Sequence, residues 1–209
     1  MSVAALKQTW LELTSRYCTN EELINSEFDK LIVQYATPGR YYHNLQHIEA
    51  LLTLQGAYAA EIRNNEVLQL AIFYHDVIYN VLKSDNEEQS ALAAGAFLQQ
   101  TTFPPYQIIT VMDYIRATKT HTGDEHDDDL DFLLDFDLSI LGSPADVYIE
   151  YAQQIRREYN VYPDEVYHPG RKKVLTHFLE KPAIYRTATF REQYEVQARQ
   201  NIAAELHGL

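Results

Sequence analysis

Along this chain apolar residues recur at spacings of three and four much more often than in strict alternation, which predicts helix throughout. Leu6, Trp10, Leu13 and Tyr17 trace one stripe; Leu23, Ile24, Phe28, Leu31, Ile32 and Tyr35 trace a second. The second helix opens behind Asn20-Glu21-Glu22, a capping residue followed by first-turn acids, and should stop before Thr37-Pro38-Gly39. A third begins near His43 and Asn44. A fourth, residues 66 to about 79, is apolar nearly all round, as in a helix buried on most sides, and would carry His75 and Asp76.

Ser84-x-x-Glu87 and Asp85-x-x-Glu88 fit the capping-box spacing ahead of the Ala-rich segment 91–99, so a fifth helix should start there. Pro104-Pro105 suits the first turn of a sixth, running to about Thr118. Residues 120–129 have the composition of a loop, after which Leu130, Leu133, Leu134, Leu138 and Leu141 restore helical periodicity up to Gly142-Ser143-Pro144. Three more helices are predicted at about 145–159, 164–179 and 185–206. No internal repeat, linker or low-complexity segment interrupts the pattern. The expectation is an all-α fold, one compact domain over 1–209 with about nine to ten helices.

Composition narrows the partners. With 209 residues, 46% of them hydrophobic, the chain can bury a full core. A net charge of −13 would repel a long phosphate backbone, so polymeric nucleic acid is an unfavourable partner. Eleven of the 17 basic residues lie from Arg116 onward, among them Arg156-Arg157 and Arg171-Lys172-Lys173, where a small anion could be met locally. The lone cysteine, Cys18, has no intramolecular disulfide partner, and Lys7, Glu12 and Arg16 fall where a signal peptide needs an apolar stretch. No apolar run approaches the ~20 residues of a membrane span. A cytoplasmic protein without a membrane role is expected, and nothing in the sequence decides between a monomer and a homodimer.

Three segments carry candidate chemistry. Tyr41-Tyr42-His43-Asn44-Leu45-Gln46-His47 sets two histidines four apart, which on a helix stacks them on one face. In Phe73-Tyr74-His75-Asp76-Val77, His75 falls on the stripe Leu68, Ile72, His75, Tyr79, and a carboxylate beside it in so apolar a setting must be paired or bound to metal. In Asp131-Phe132-Leu133-Leu134-Asp135-Phe136-Asp137, helical spacing puts Asp137 on the apolar stripe and Asp135 on the face of Asp131 and Ser139. Asp137 is therefore the better interior ligand. Two imidazoles and two carboxylates suit a divalent cation such as Mn, Fe, Zn or Mg, with positions left for water; Co and Ni are equally compatible.

The order H…HD…D resembles that of the HD superfamily of metal-dependent phosphohydrolases over about residues 40–142. Tyr42-His43-Asn44-x-x-His47 is similar to the corresponding stretch of cyclic-nucleotide phosphodiesterases. The longer pattern, with Arg40-Tyr41-Tyr42-His43-Asn44-Leu45, Asp85-Asn86-Glu87-x-x-Ser90-Ala91, Ala117-Thr118-Lys119-x-His121 and Asp135-Phe136-Asp137-Leu138-Ser139-Ile140-Leu141-Gly142, resembles a small bacterial group of predicted HD phosphohydrolases. After Asn80 the chain departs from the phosphodiesterases, lacking their further metal-site histidine and base pocket. The resemblance implies a helical HD-type domain, on whose core the C-terminal helices at about 145–206 pack. It also implies His47, His75, Asp76 and Asp137 as ligands for one or two ions, with Asp76 bridging if there are two, and His43 as the donor of a proton to the leaving oxygen.

The expected activity is hydrolysis of a phosphoester or phosphoanhydride in a small phosphorylated molecule, a nucleotide by preference, by metal-activated water. Glu87, which also serves the capping box, is a candidate for orienting that water. Lys119 and His121, at a helix end, are candidate phosphate contacts, although cations there also complement the helix dipole. Arg156, Arg171 and Arg199 are further candidates, although solvated helix faces account for most such residues. The acidic run from Asp124 to Asp129 lacks EF-hand spacing and is read as a solvated loop and helix start. Tyr42 and Tyr79 are placed at the pocket wall. Two alternatives remain open, an HD-type di-iron oxygenase, which would need further histidines such as His121 or His126, and a non-catalytic regulatory protein on the same fold.

Overall fold

The computed structural model describes residues 2–121 and 127–209, and these are all-α: ten α-helices and one 3-10 turn, with no strand among the described residues. The order is α1 (Val3–Thr14), α2 (Glu21–Tyr35), α3 (Leu45–Ala57), α4 (Asn65–Tyr74), α5 (Asn86–Leu98), α6 (Pro105–Ala117), α7 (Asp128–Leu138), a 3-10 turn (Ser139–Gly142), α8 (Ala145–Glu158), α9 (Asp164–Glu180) and α10 (Ala188–Gly208). The chain forms two compact units, residues 1–133 and 134–209. The division falls inside α7, one continuous helix, rather than in a linker. No described helix is long and apolar enough to cross a membrane.

In the first unit the core grows from the predicted stripes. Leu6, Trp10 and Leu13 of α1 meet Ile24, Phe28, Leu31 and Tyr35 of α2 as buried residues. The Trp10 ring packs edge-on against Phe73, centroids 5.3 Å apart, and lies 5.3 Å from Phe97, while its indole N–H donates to the Ile24 carbonyl at 3.0 Å. That bond lets the whole ring be buried without stranding its donor. Asn20 caps α2 by accepting the Leu23 amide at 3.0 Å, as its position predicted.

Two local expectations need correction. α5 starts behind Asp85, but no side chain caps it: Asp85 instead accepts from Gln89 at 3.2 Å, and Ser84 gives its carbonyl to Lys119. The capping box is not formed. The Asp127–Asp129 end of the acidic run is not simply solvated either. Tyr114 donates to both Asp127 carboxylate oxygens, and Asp129, buried, accepts the amides of Arg63 and Asn64 at 2.8 and 2.7 Å. Asp129 thus satisfies orphan amides at the start of α4, which pattern alone could not show. Asp124 to His126 lie outside the described residues.

In the second unit α10 approaches the 3-10 turn so closely that a Cβ on Gly142 would fall 2.6 Å from the Tyr194 Cβ, so this contact requires glycine. The end of α7 and the start of α10 are tied by Asp135, fully buried, whose carboxylate accepts the Arg186 amide (2.7 Å), the Thr187 amide (2.8 Å) and the Thr187 hydroxyl (2.7 Å). The face that Asp135 shares with Asp131 and Ser139 is therefore covered at Asp135, because the start of α10 docks there.

Several tyrosines share one electrostatic property. The hydrogen bond to Glu66 pushes Tyr17 up to about 12, while burial, aided by Glu27, Asp127 and Glu205 respectively, raises Tyr74, Tyr114 and Tyr148 well above the usual tyrosine range. An unfolded tyrosine titrates near ~10, so above that pH the folded chain holds protons the unfolded chain has released. Stability is then fully present below pH ~10 and lost as pH rises through the folded values. Urea midpoints should stay level from pH 8 to about 9.5 and fall by pH 11, and Tyr74→Phe should reduce the fall; an equal fall in that variant would remove Tyr74 from the explanation.

Candidate metal centre

The first candidate segment sits where a turn becomes a helix. Asn44 caps α3, its side chain accepting the Gln46 amide at 2.8 Å and donating to the Tyr41 carbonyl at 2.8 Å. His47 lies inside the first turn of α3 and is buried, whereas His43 precedes the cap. The two therefore do not share a helical face as their spacing predicted, yet the chain turns so that their rings lie 5.9 Å apart.

The second segment differs from expectation in a way that matters chemically. α4 ends at Tyr74, and His75 is its C-cap; Asp76 to Ile78 form a turn, not a continuation of the helix to 79. On a helix, consecutive residues point about 100° apart. Leaving the helix lets His75 and Asp76 face one point, with His75 Nε2 and Asp76 Oδ2 3.1 Å apart. The turn is anchored from α5: Ser90 accepts the Ile78 amide at 3.0 Å, and Asn86 grips Asn80 through both its amide and its carbonyl, at 3.1 and 3.0 Å.

Protonation is set by a carbonyl. His75 Nδ1–H donates to the Ile72 oxygen at 2.9 Å, and since a carbonyl only accepts, Nδ1 carries the proton and Nε2 of the neutral ring carries a lone pair. That lone pair faces His47 Nε2 at 3.1 Å. Two nitrogens so close need a proton or a cation between them. His47 Nε2 is also 3.9 Å from Asp76 Oδ2, and a point equidistant from the three atoms lies about 2.0 Å from each, the length of a metal–imidazole bond. The donors fit a divalent metal in type and in spacing.

Asp137 stands on the last turn of α7, one helical turn past Leu133, and is half-buried. One ligand atom each from His47, His75 and Asp137 lies within 4.8 Å of the others, so this group could hold a metal ion. The Asp76 and Asp137 trios share both imidazoles and differ only in the carboxylate.

His43 is half-buried against aromatic rings, 4.5 Å from Tyr79 and 5.0 Å, edge-on, from Tyr42. Glu87, in the first turn of α5, lies 3.9 Å from Lys119, whose ammonium also donates to the Ser84 carbonyl. His121 follows α6 with a left-handed backbone, φ 49°. In the second unit Arg156 is held by Asp164 at 2.7 Å and by the Tyr159 and Tyr162 carbonyls, on the wall of a cavity of about 590 Å³ lined by α8, α9 and α10. Arg171 forks onto Glu205 at 2.7 and 3.0 Å, and Arg199 onto Glu195 and the Leu179 and Lys181 carbonyls. Each of these guanidiniums already faces a carboxylate, with which a substrate phosphate would compete.

Sequence reasoning passed over Ser90, Asn86 and Arg40 as parts of this centre's frame, because hydrogen bonds to backbone leave no periodic trace. What the arrangement offers chemically is a paired-imidazole and carboxylate seat for a cation beside a histidine that does not belong to it. In comparisons with known proteins, no family model, curated protein or solved structure matches this chain.

Proposed function

We propose that this chain is a metal-dependent phosphohydrolase of the HD type, cleaving a phosphoester or phosphoanhydride bond in a small phosphorylated molecule, a nucleotide by preference. The observation that carries the reading is the convergence of His47 Nε2, His75 Nε2 and Asp76 Oδ2 on one point at bonding distance. With Asp137 as a fourth donor, these groups would hold one or two divalent ions. An ion there would supply a nucleophilic water near neutral pH and neutralise charge on the phosphoryl oxygens.

The chain's own residues do the rest. The Ile72 carbonyl keeps the His75 Nδ1 proton in place, so the ring presents Nε2 inward throughout turnover. As water adds to phosphorus and the P–O bond breaks, His43 gives its proton to the leaving oxygen, a task suited to an imidazole. Tyr42 and Tyr79 fix the plane of that ring.

The test is a panel of phosphorylated metabolites with Mn, Mg, Fe, Co and Ni, following phosphate and pyrophosphate release. Release that needs a metal and stops with chelator is expected. Metal-loaded protein that releases neither product from any member of the panel would sink the proposal, and two irons with oxygen-dependent turnover would replace it with the oxygenase.

A further inference from the structure

One arginine joins the two segments that build the centre. Arg40 lies in the turn before α3, half-buried, and its guanidinium reaches three carbonyls on two stretches of chain. Nη1 donates to His43 O at 3.1 Å and to Asp76 O at 2.6 Å, and Nη2 donates to Val77 O at 2.8 Å. Asp76 and Val77 directly follow α4, where helix-end carbonyls lack intrahelical partners. The same guanidinium lies over two rings, 5.1 Å from the Tyr35 centroid and 5.2 Å from that of Tyr79, and Tyr79 in turn lies 4.5 Å from His43.

We propose that Arg40 is the positioning residue of the metal centre, a planar clamp that fixes the His-Asp turn against the His43 loop. This inference rests on the metal-binding reading given above. The reasoning is geometric. His75 and Asp76 converge where the chain leaves α4 at Tyr74, and the turn that follows holds one backbone bond of its own, the Val77 amide to the Tyr74 carbonyl at 3.0 Å, so side-chain bonds set the rest of its shape. The clamp supplies two of them. It does so from the segment that also carries His43 and leads into His47, so one group links the turn of His75 and Asp76 to the segment of His47, while Ser90 and Asn86 anchor that turn from α5. Arginine is required because two nitrogens of a rigid plane divide the three carbonyls while the cation lies over the Tyr35 and Tyr79 rings. A lysine ammonium keeps the charge but has neither the fork nor the plane.

The test uses the full chain, stripped of metal and titrated calorimetrically with Mn²⁺ and with Zn²⁺ alone, comparing the unsubstituted protein, Arg40→Lys, Arg40→Met and Asp76→Ala, with the unfolding midpoint of each metal-free protein measured alongside. Loss of an outer group that orients ligands typically lowers metal affinity about 10- to 100-fold, and that loss is expected for Arg40→Lys and Arg40→Met, with the Lys variant's metal-free midpoint close to that of the unsubstituted protein. Asp76→Ala reports on the centre itself: if it binds both metals like the unsubstituted protein, the metal-centre reading fails. If Asp76→Ala loses binding while Arg40→Lys keeps full affinity, the centre stands and the Arg40 proposal is overturned. Should Arg40→Met fold poorly, Arg40→Lys alone decides. An affinity loss in Arg40→Lys that only tracks a lowered midpoint also overturns it, since that is what a merely structural arginine would give.

Discussion

Asp76→Ala is expected to lose bound metal and turnover together, with activity falling at least about 10³-fold, or about 4 kcal/mol of transition-state stabilisation. Its carboxylate lies 3.1 Å from the His75 imidazole and 3.9 Å from that of His47. Removing it takes away both a donor and the charge that offsets a divalent cation. His43→Ala should behave differently. Its ring is 5.9 Å from that of His47 and packs against Tyr42 and Tyr79, so its loss should lower turnover by about 10²- to 10⁴-fold, the usual contribution of a proton donor, and leave metal content nearly unchanged. Metal stoichiometry by elemental analysis, measured beside the turnover number, separates the two. Equal metal loss in both variants would refute the division of roles.

The second large effect separates two aspartates two residues apart. Asp135→Ala should destabilise the protein by about 3 kcal/mol, because it strands the half-buried Arg186 and Thr187 amides and the Thr187 hydroxyl that its fully buried carboxylate accepts. In a chain of this length that corresponds to a fall of roughly 10 °C in Tm, while metal stoichiometry in the folded fraction stays as in the unsubstituted protein. Asp137→Ala should do the reverse, holding Tm nearly constant and weakening metal binding. A normal metal content in Asp137→Ala, or a metal loss confined to Asp135→Ala, would overturn the assignment. Asp135 and Asp137 face different ways, as their helical spacing implies, since residues two apart on a helix project about 200° apart.

What could be read from the sequence follows from local physics. Apolar spacing located all ten helices, to within about one turn at most ends, since burying a stripe imposes the helical period on the residues that form it. Asn20 as a cap and Pro105 opening α6 were equally legible, since each depends on a backbone group a few residues away. Side-chain chemistry also marked His47, His75 and Asp137, the trio whose atoms gather. Where pattern misled, a distant segment had intervened. Apolar periodicity runs from α4 through Ile78, but the helix stops at Tyr74, and Arg40 and Ser90 hold the turn that follows.

His75-Asp76 shows the division most clearly. The sequence alone determined that a histidine and a carboxylate stand side by side at the end of an apolar helix, where an unpaired charge is costly. Only the tertiary structure decided that both point inward, that Ile72 holds the proton on the far nitrogen of His75, and that His47 arrives from 28 residues away. Burial preference is a property of each side chain and is written residue by residue. Convergence depends on hydrogen bonds between backbone atoms and the side chains of Arg40, which donates, and of Asn86 and Ser90, which accept, and every residue presents the same backbone atoms whatever its side chain.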